Sequence, residues 1–174
     1  SISGYFGSIT LGALIVLFGN IIQFILLALF FILSSLLNLI LKKYTARKSK
    51  NSNRNILQVV CNGGVAIFIC IYEYFSPNPV NIYLYAATVA TAMSDTWATE
   101  FGKLSESKPI SITSFRPVEH GLSGGITMVG IFGSILGASI VGLATYILVK
   151  SEIILIFGII FTAFLSALLD SLIG

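Results

Sequence analysis

Two carboxylates and three hydroxyl groups occur within two helical turns in the run Ser94-Asp95-Thr96-Trp97-Ala98-Thr99-Glu100. Hard oxygen ligands of this kind suit Mg²⁺, which takes one or two protein carboxylates and completes its shell with phosphates and water. On a regular helix Asp95 and Glu100 are about 140° apart, so a shared ion requires a helix break or a second helix. We predict that Asp170 supplies that ligand, and that the catalytic, Mg²⁺-binding residues are Asp95, Glu100 and Asp170.

A glycine-rich stretch follows, from Glu119 to Thr127. Glycines leave backbone N–H groups accessible, and the N-terminus of the next helix carries positive partial charge, which together favour an anion. Glycines also serve helix packing, which is the role we predict for Gly133 and Gly137. For His120 alone, a structural hydrogen bond is the alternative to a role in the site. The residues predicted to bind the nucleotide triphosphate are His120, Gly121, Ser123, Gly124, Gly125 and Thr127.

Basic residues concentrate in the linker 42–54, which carries six lysines and arginines. The linker either only directs membrane insertion or also attracts phosphates of a lipid or a nucleotide. Arg54 and Asn55 immediately precede an apolar run, where they can reach a phosphate at the membrane surface. The predicted phosphate-binding residues outside the glycine-rich stretch are Arg54, Asn55, Asn62, Gly63, Lys103 and Arg116.

Polar side chains also occur inside the apolar runs, where each costs several kcal/mol unless it is paired or lines a wet cavity. From their distances to the run ends, Asn62, Asp95 and Asp170 are expected at similar depth on three helices. This arrangement predicts a cavity open to one side of the membrane. The alternative is three unrelated hydrogen bonds between helices.

The elements that must position these residues follow from composition, because 56% of the 174 residues are hydrophobic, 10% are charged, and the mean hydropathy is +0.96. No water-soluble domain has this composition. We predict an all-α fold, a polytopic transmembrane helical bundle of about six spans forming a single membrane domain over residues 1–174. Glycines and serines interrupt the first run, which could instead be re-entrant or interfacial. The predicted spans are 2–18, 21–41, 56–75, 82–101, 126–149 and 153–173.

Orientation is predicted from the lysines and arginines, because short cytoplasmic loops retain positive charge during insertion. Loops 42–55 and 102–125 carry most of the basic residues and lie on one side in a six-span arrangement. The segment 76–79 on the other side has no basic residue. We therefore predict that loops 42–55 and 102–125, and with them the candidate site, face the cytoplasm.

Six motifs occur in order along the chain: Arg54-Asn55, Gln58-Val59, Cys61-Asn62-Gly63-Gly64, Ser94 to Glu100, Ser123-Gly124-Gly125-Ile126-Thr127 and Asp170-Ser171-Leu172-Ile173-Gly174. In this order they resemble the phytyl-phosphate kinase family of integral membrane proteins, which has plant plastid members with animal and archaeal relatives. The resemblance implies a membrane enzyme that converts a prenyl monophosphate to the diphosphate. Members of that family usually continue past the aspartate-serine motif, so a further C-terminal segment is expected.

A looser similarity involves Asp95, Ala98, Gly102-Lys103, Ile110-Ser111, Val118-Glu119, Gly121 and Gly124-Gly125. Their arrangement is similar to the signature of CDP-diacylglycerol synthases, dolichol kinases and phytol kinases, membrane enzymes that use CTP and Mg²⁺ on lipid substrates. This chain has Phe115-Arg116-Pro117 where that pattern usually has a lysine pair. The similarity suggests CTP as the nucleotide without specifying it.

Taken together, these patterns predict a Mg²⁺-dependent membrane kinase that transfers a phosphoryl group from a nucleoside triphosphate, CTP or another, to an isoprenoid monophosphate. The acceptor phosphate is already a nucleophile at neutral pH, so no general base is required. Asn62 is predicted to orient it. The alternatives are a CTP-dependent lipid-phosphate cytidylyltransferase and a membrane transporter. The expected partners are the isoprenoid monophosphate, the nucleotide and membrane lipids, with no nucleic acid. The sequence leaves open whether the protein forms a homodimer.

Overall fold

Six helices form the framework of the protein. The computed structural model describes residues 2–45, 56–120, 122 and 124–173, with side chains at 7, 9–41, 63–120, 122 and 124–173. Two short strands, β1 (Ile110–Ser111) and β2 (Gly125–Ile126), pair antiparallel between the fourth and fifth helices. The predicted all-α membrane bundle is confirmed. The helices are α1 (Ile2–Phe18), α2 (Ile21–Thr45), α3 (Ile56–Phe75), α4 (Asn81–Gly102), α5 (Met128–Val149) and α6 (Ile153–Ile173).

The helix boundaries agree with the predicted spans for α1, α3 and α6, and differ slightly elsewhere. α2 continues one turn past the apolar run, so Lys42 and Lys43 are helical and not part of a loop, as good helix formers allow. α5 begins at Met128, two residues later than predicted, because the preceding residues form β2. The Thr127 side chain caps α5 by accepting the Gly130 N–H at 3.0 Å.

Successive helices alternate in direction around α4, which packs against α2, α3, α5 and α6. Tyr85 at the start of α4 contacts Gln23 at the start of α2, and Glu100 near the end of α4 contacts Asn38 of α2. These contacts make α2 and α4 parallel. The end of the bundle that holds the C-termini of α2, α4 and α6 and the N-termini of α3 and α5 is called the loop end below.

Glycines let α5 approach the backbone of α4. A Cβ atom added at Gly133 would lie 2.7 Å from the Trp97 carbonyl oxygen, and one at Gly137 would lie 3.0 Å from the Met93 carbonyl oxygen. At these two positions α5 has no side chain of its own and lies directly against the backbone of α4 and the Cβ atoms of Trp97 and Phe101. The packing role predicted for Gly133 and Gly137 is confirmed.

Three helical segments in the described part of the chain are long and apolar enough to cross a membrane: Ile21–Leu41, Met128–Val149 and Ile153–Ile173. The outer face of α6 exposes Phe157, Phe161 and Leu165, with 62%, 62% and 40% of each residue accessible. Such a face suits a helix surrounded by lipid. The prediction of about six crossings stays a prediction.

A polar cluster joins three helices at the end of the bundle opposite the loop end. Gln23 is fully buried, and its Nε2 donates to the Glu73 carboxylate of α3. Its backbone carbonyl accepts the Tyr85 hydroxyl of α4 at 2.9 Å. Asn20 and Gln23 also cap α2 reciprocally, each side-chain oxygen accepting the other residue's backbone N–H at 2.8 and 3.0 Å.

Candidate functional site

A cavity of about 440 Å³ lies at the loop end. Its walls come from the last turns of α4, the first turns of α5, the C-terminal part of α6 and the segment that connects α4 to α5. Seven of the predicted site residues line it: Asp95, Lys103, His120, Gly124, Gly125, Thr127 and Asp170. Three segments far apart in the sequence are thus brought to one place.

Asp95 of α4 and Asp170 of α6 line this cavity from two different helices. Asp95 is half-buried, Asp170 is exposed, and both border the same space. Neither forms an ion pair with any lysine, arginine or histidine that the structure describes. Two neighbouring carboxylates without a protein cation between them form a suitable place for a divalent cation.

Glu100 does not line the cavity, although it was predicted as a third metal ligand. Its Oε1 accepts the Lys103 ammonium at 2.7 Å and the Asn38 amide of α2 at 3.3 Å. The side chain of Glu100 is 12% exposed and that of Lys103 is 30% exposed. α4 continues without a break through Glu100, so the helical rotation that separates it from Asp95 persists. In this geometry Glu100 holds Lys103, and Lys103 reaches the cavity.

Backbone hydrogen bonds fix the segment that covers the cavity. The Ile112 N–H donates to the Gly124 carbonyl at 2.9 Å, and the Val118 N–H donates to the Pro109 carbonyl at 2.8 Å. Gly124 has φ of +78°, a conformation that favours glycine, and a Cβ atom there would lie 3.1 Å from the Ser171 carbonyl oxygen. Glycine at this position therefore allows the connection to lie against α6.

The start of α5 contributes the positive end of a helix dipole to the same cavity, which Thr127 and Lys103 also line. His120 also lines the cavity, and its imidazole ring has a nitrogen that can donate a hydrogen bond. The cavity thus combines donors and positive charge with two carboxylates. This combination suits a phosphate together with a divalent cation.

Ser134 lines the cavity as well, although no sequence motif predicted it. It is 3% exposed, and its hydroxyl lies 2.6 Å from the Ser94 hydroxyl of α4. Thr127, Gly130, Ile131 and Ser134 follow one another at helical spacing on one face of α5. That spacing, counted from the glycine-rich stretch, is the signal that could have identified it.

The remaining predicted residues either lie away from the cavity or fall outside the described part of the chain. Gly63 is buried against Leu11 of α1, where any added Cβ atom would clash, so it serves helix packing. Arg116 is exposed in the connection and does not line the cavity. Arg54, Asn55, Gly121, Ser123 and the side chain of Asn62 lie outside the described residues.

The donor set can be compared with the needs of Mg²⁺. Within residues 2–45, 56–120, 122 and 124–173, no three His, Cys, Asp or Glu residues gather in a group that could hold a metal ion. Two carboxylates are sufficient for Mg²⁺, because phosphate oxygens and water complete its shell. Asp95 and Asp170 fit this requirement. Glu100 would join them only after leaving Lys103.

Known proteins similar to this chain include two that are named as membrane proteins. An uncharacterised membrane protein of Methanocaldococcus jannaschii is 38% identical over 146 residues, which cover 83% of this chain and 61% of the relative. The Arabidopsis thaliana protein named PGR is 30% identical over 136 residues, covering 68% of this chain and 47% of that protein. The chain therefore matches about half the length of these curated relatives. No solved structure is significantly similar to it.

A third relative, an uncharacterised membrane protein of a Synechocystis species, is 35% identical over 107 residues, covering 58% of this chain and 40% of that protein. The family model described as integral membrane protein DUF92 matches residues 1–174. Since that match includes every helix and the whole candidate site, the chain belongs to the DUF92 family of integral membrane proteins.

Proposed function

We propose that this protein is a membrane prenyl-phosphate kinase that transfers a phosphoryl group from a nucleoside triphosphate, with CTP one candidate, to an isoprenoid monophosphate. The observation that carries the proposal is the shared cavity of Asp95, Asp170, Lys103 and the N-terminus of α5. The motifs that resemble the phytyl-phosphate kinase family give the substrate class. The names of the curated relatives give no activity, so the proposal rests on the cavity and the motifs.

Phosphoryl transfer between phosphates needs positioning and charge neutralisation more than covalent help. In this proposal Lys103 and the backbone N–H groups at the start of α5 bind phosphate oxygens, and Thr127 and Gly125 border the triphosphate. The acceptor phosphate attacks the γ-phosphorus, and the bond from that phosphorus to the β-phosphate oxygen breaks. Asp95 and Asp170 would hold Mg²⁺, which when bound neutralises the charge that the phosphates bring together. Glu100 keeps the Lys103 ammonium beside the cavity.

The test is to incubate the purified protein in nanodiscs with labelled nucleoside triphosphates and Mg²⁺, with either prenyl monophosphates or the matching free prenols. We expect prenyl diphosphate and nucleoside diphosphate from the monophosphates and no product from the alcohols. The Asp95→Asn variant, purified in parallel, controls for contaminating kinases.

Different products would contradict the proposal in different ways. Pyrophosphate release with a nucleotide left on the lipid would identify a cytidylyltransferase. Comparable phosphorylation of free prenols would make the acceptor assignment wrong. Nucleotide that is not consumed with any prenyl monophosphate would argue against the kinase altogether.

A further inference from the structure

α5 and α6 are in direct contact at the end opposite the loop end, and both line the cavity at the loop end. A Cβ atom added at Gly142 would lie 3.0 Å from Ile156 and 3.3 Å from Ile160, so the two helices are in direct contact there. Ile131 lies on the same face of α5 as Gly142, because eleven residues differ by only about 20° around a helix. Ile131 nevertheless lines the cavity. The helices therefore enclose a wedge that opens toward the candidate site.

The same change occurs along α6. Ile160 contacts α5, whereas Phe164, one helical turn further along α6, lines the cavity. Leu168, one turn further, also lines the cavity. We call the apolar walls of this space, Ile131, Phe164 and Leu168, the α5–α6 wedge.

On α6 the apolar and the charged residues face different sides of one cavity. Asp170 and Leu168 are about 160° apart around α6, so the carboxylate and the apolar wall face different directions. At 1.5 Å per residue, Phe164 lies roughly 14 Å and Leu168 roughly 8 Å from the end of α6 at Ile173. Both depths fall within the hydrocarbon layer if α6 crosses the membrane, for which its length and composition are suitable.

We propose that the α5–α6 wedge binds the hydrocarbon chain of a lipid phosphate, whose phosphate then lies beside Asp95 and Lys103. The inference rests on the proposed function, since that function makes a lipid phosphate the ligand. A chain entering sideways from the bilayer stays in apolar surroundings along Ile131, Phe164 and Leu168, while its head group reaches the charged side of the cavity. Water in the same wedge would find no polar partner on these three side chains.

The experiment uses a prenyl monophosphate that carries a photoreactive diazirine in its first isoprene unit. The probe is illuminated with the protein in nanodiscs, and labelled peptides are mapped by mass spectrometry. We expect labelling around Ile131 of α5 and around Phe164 and Leu168 of α6. Excess unlabelled prenyl monophosphate should remove this labelling, and excess free prenol should not.

Two variants fill the wedge from opposite walls, Leu168→Trp and Ile131→Trp. Each should lower the competed labelling about tenfold, the factor that corresponds to roughly 1.4 kcal/mol of binding free energy. The matched control is Phe161→Trp, which adds the same ring at a position on the outer face that is 62% exposed and does not line the cavity. It should leave the labelling unchanged. Having two variants keeps the test decisive if one of them fails to fold.

The outcomes separate the wedge from the kinase proposal. Competed labelling of the wedge without any diphosphate product would support the wedge and contradict the kinase. Diphosphate product with labelling spread over the outer helix faces, or with unchanged labelling in folded Leu168→Trp and Ile131→Trp proteins, would overturn the wedge alone.

Discussion

The charge of Asp95 distinguishes a metal-binding role from a packing role. If Asp95 only bonded a neighbouring helix, an amide would serve as well and would avoid the cost of a buried anion. If Asp95 instead binds a Mg²⁺ ion that contacts phosphate, Asp95→Asn should lower turnover about a hundredfold to a thousandfold. The thermal unfolding temperature should stay equal or rise. The measurements are Mg²⁺-dependent turnover and thermal stability in detergent.

Glu106→Gln provides the control for Asp95→Asn, because Glu106 is exposed in the α4–α5 connection and does not line the cavity. It should retain normal turnover. Full activity in a well-folded Asp95→Asn protein would remove Asp95 from the site and leave the metal assignment without its central ligand.

Glu100 offers a second test, because its contacts favour a role through Lys103 instead of through a metal. Glu100→Gln should raise the KM for nucleotide about three- to fivefold and change kcat less than twofold, as a partly exposed ion pair contributes at most about 1 kcal/mol. The same substitution in a Lys103→Met background should then have no further effect. Loss of kcat with altered Mg²⁺ dependence would instead support the metal role predicted from the sequence.

The sequence predicts some site residues more readily than others for a physical reason. Asp95 and Asp170 stand out because a carboxylate inside an apolar run is costly and rarely present without a role. The contact of Glu100 with Asn38 could not be inferred, since Asn38 lies 62 residues away on another helix. Ser134 resembles any small polar residue in a helix, and only its position against α4 and the cavity gives it meaning.

At the level of elements, the close contact between α4 and α5 holds together two of the helices whose ends line the cavity. A Cβ atom at Gly133 would lie 2.7 Å from the Trp97 carbonyl oxygen, a backbone atom that moves only if α4 moves. Gly133→Ala should therefore lower the free energy of unfolding by about 1–3 kcal/mol and lower activity with it. Thermal unfolding in detergent measures the effect.

Gly158→Ala is the matched control in another apolar helix, since nothing lies within 4 Å of a Cβ atom there. Alanine should leave stability unchanged or raise it by up to about 1 kcal/mol, because glycine is the poorer helix former. Equal effects at Gly133 and Gly158 would contradict a special role for the α4–α5 contact.

Helices and strands differ in how far the sequence predicts them. Long apolar runs predicted all six helices, because a helix satisfies its own backbone in an apolar medium. β1 and β2 have two residues each, too few to show an alternating pattern. Their pairing joins Ile110 to Ile126 across a loop and depends on contacts that no local pattern encodes.

At the scale of the whole molecule, the orientation in the membrane is the prediction with the widest consequences. In a cysteine-free background, a cysteine at Asn78 should react with an impermeant maleimide only from the side opposite the cytoplasm, and one at Ser114 only from the cytoplasm. Both residues are exposed and lie at opposite ends of the bundle. Labelling of each variant is compared between right-side-out and inside-out sealed vesicles. Labelling from the cytoplasmic side at Asn78 would contradict the predicted topology.

The cluster around Gln23 has a consequence for biogenesis. Its side-chain amide donates to Glu73, which the ribosome adds fifty residues later, and its carbonyl accepts the still later Tyr85 hydroxyl. The hairpin of α1 and α2 therefore leaves the insertion machinery with an amide that has not yet met its acceptor. An amide without an acceptor is costly in an apolar environment, so we expect the α1–α2 hairpin to be less stable in the membrane before α3 is inserted. Comparing the lifetimes in the membrane of chains that end after α2 and after α3 measures this dependence.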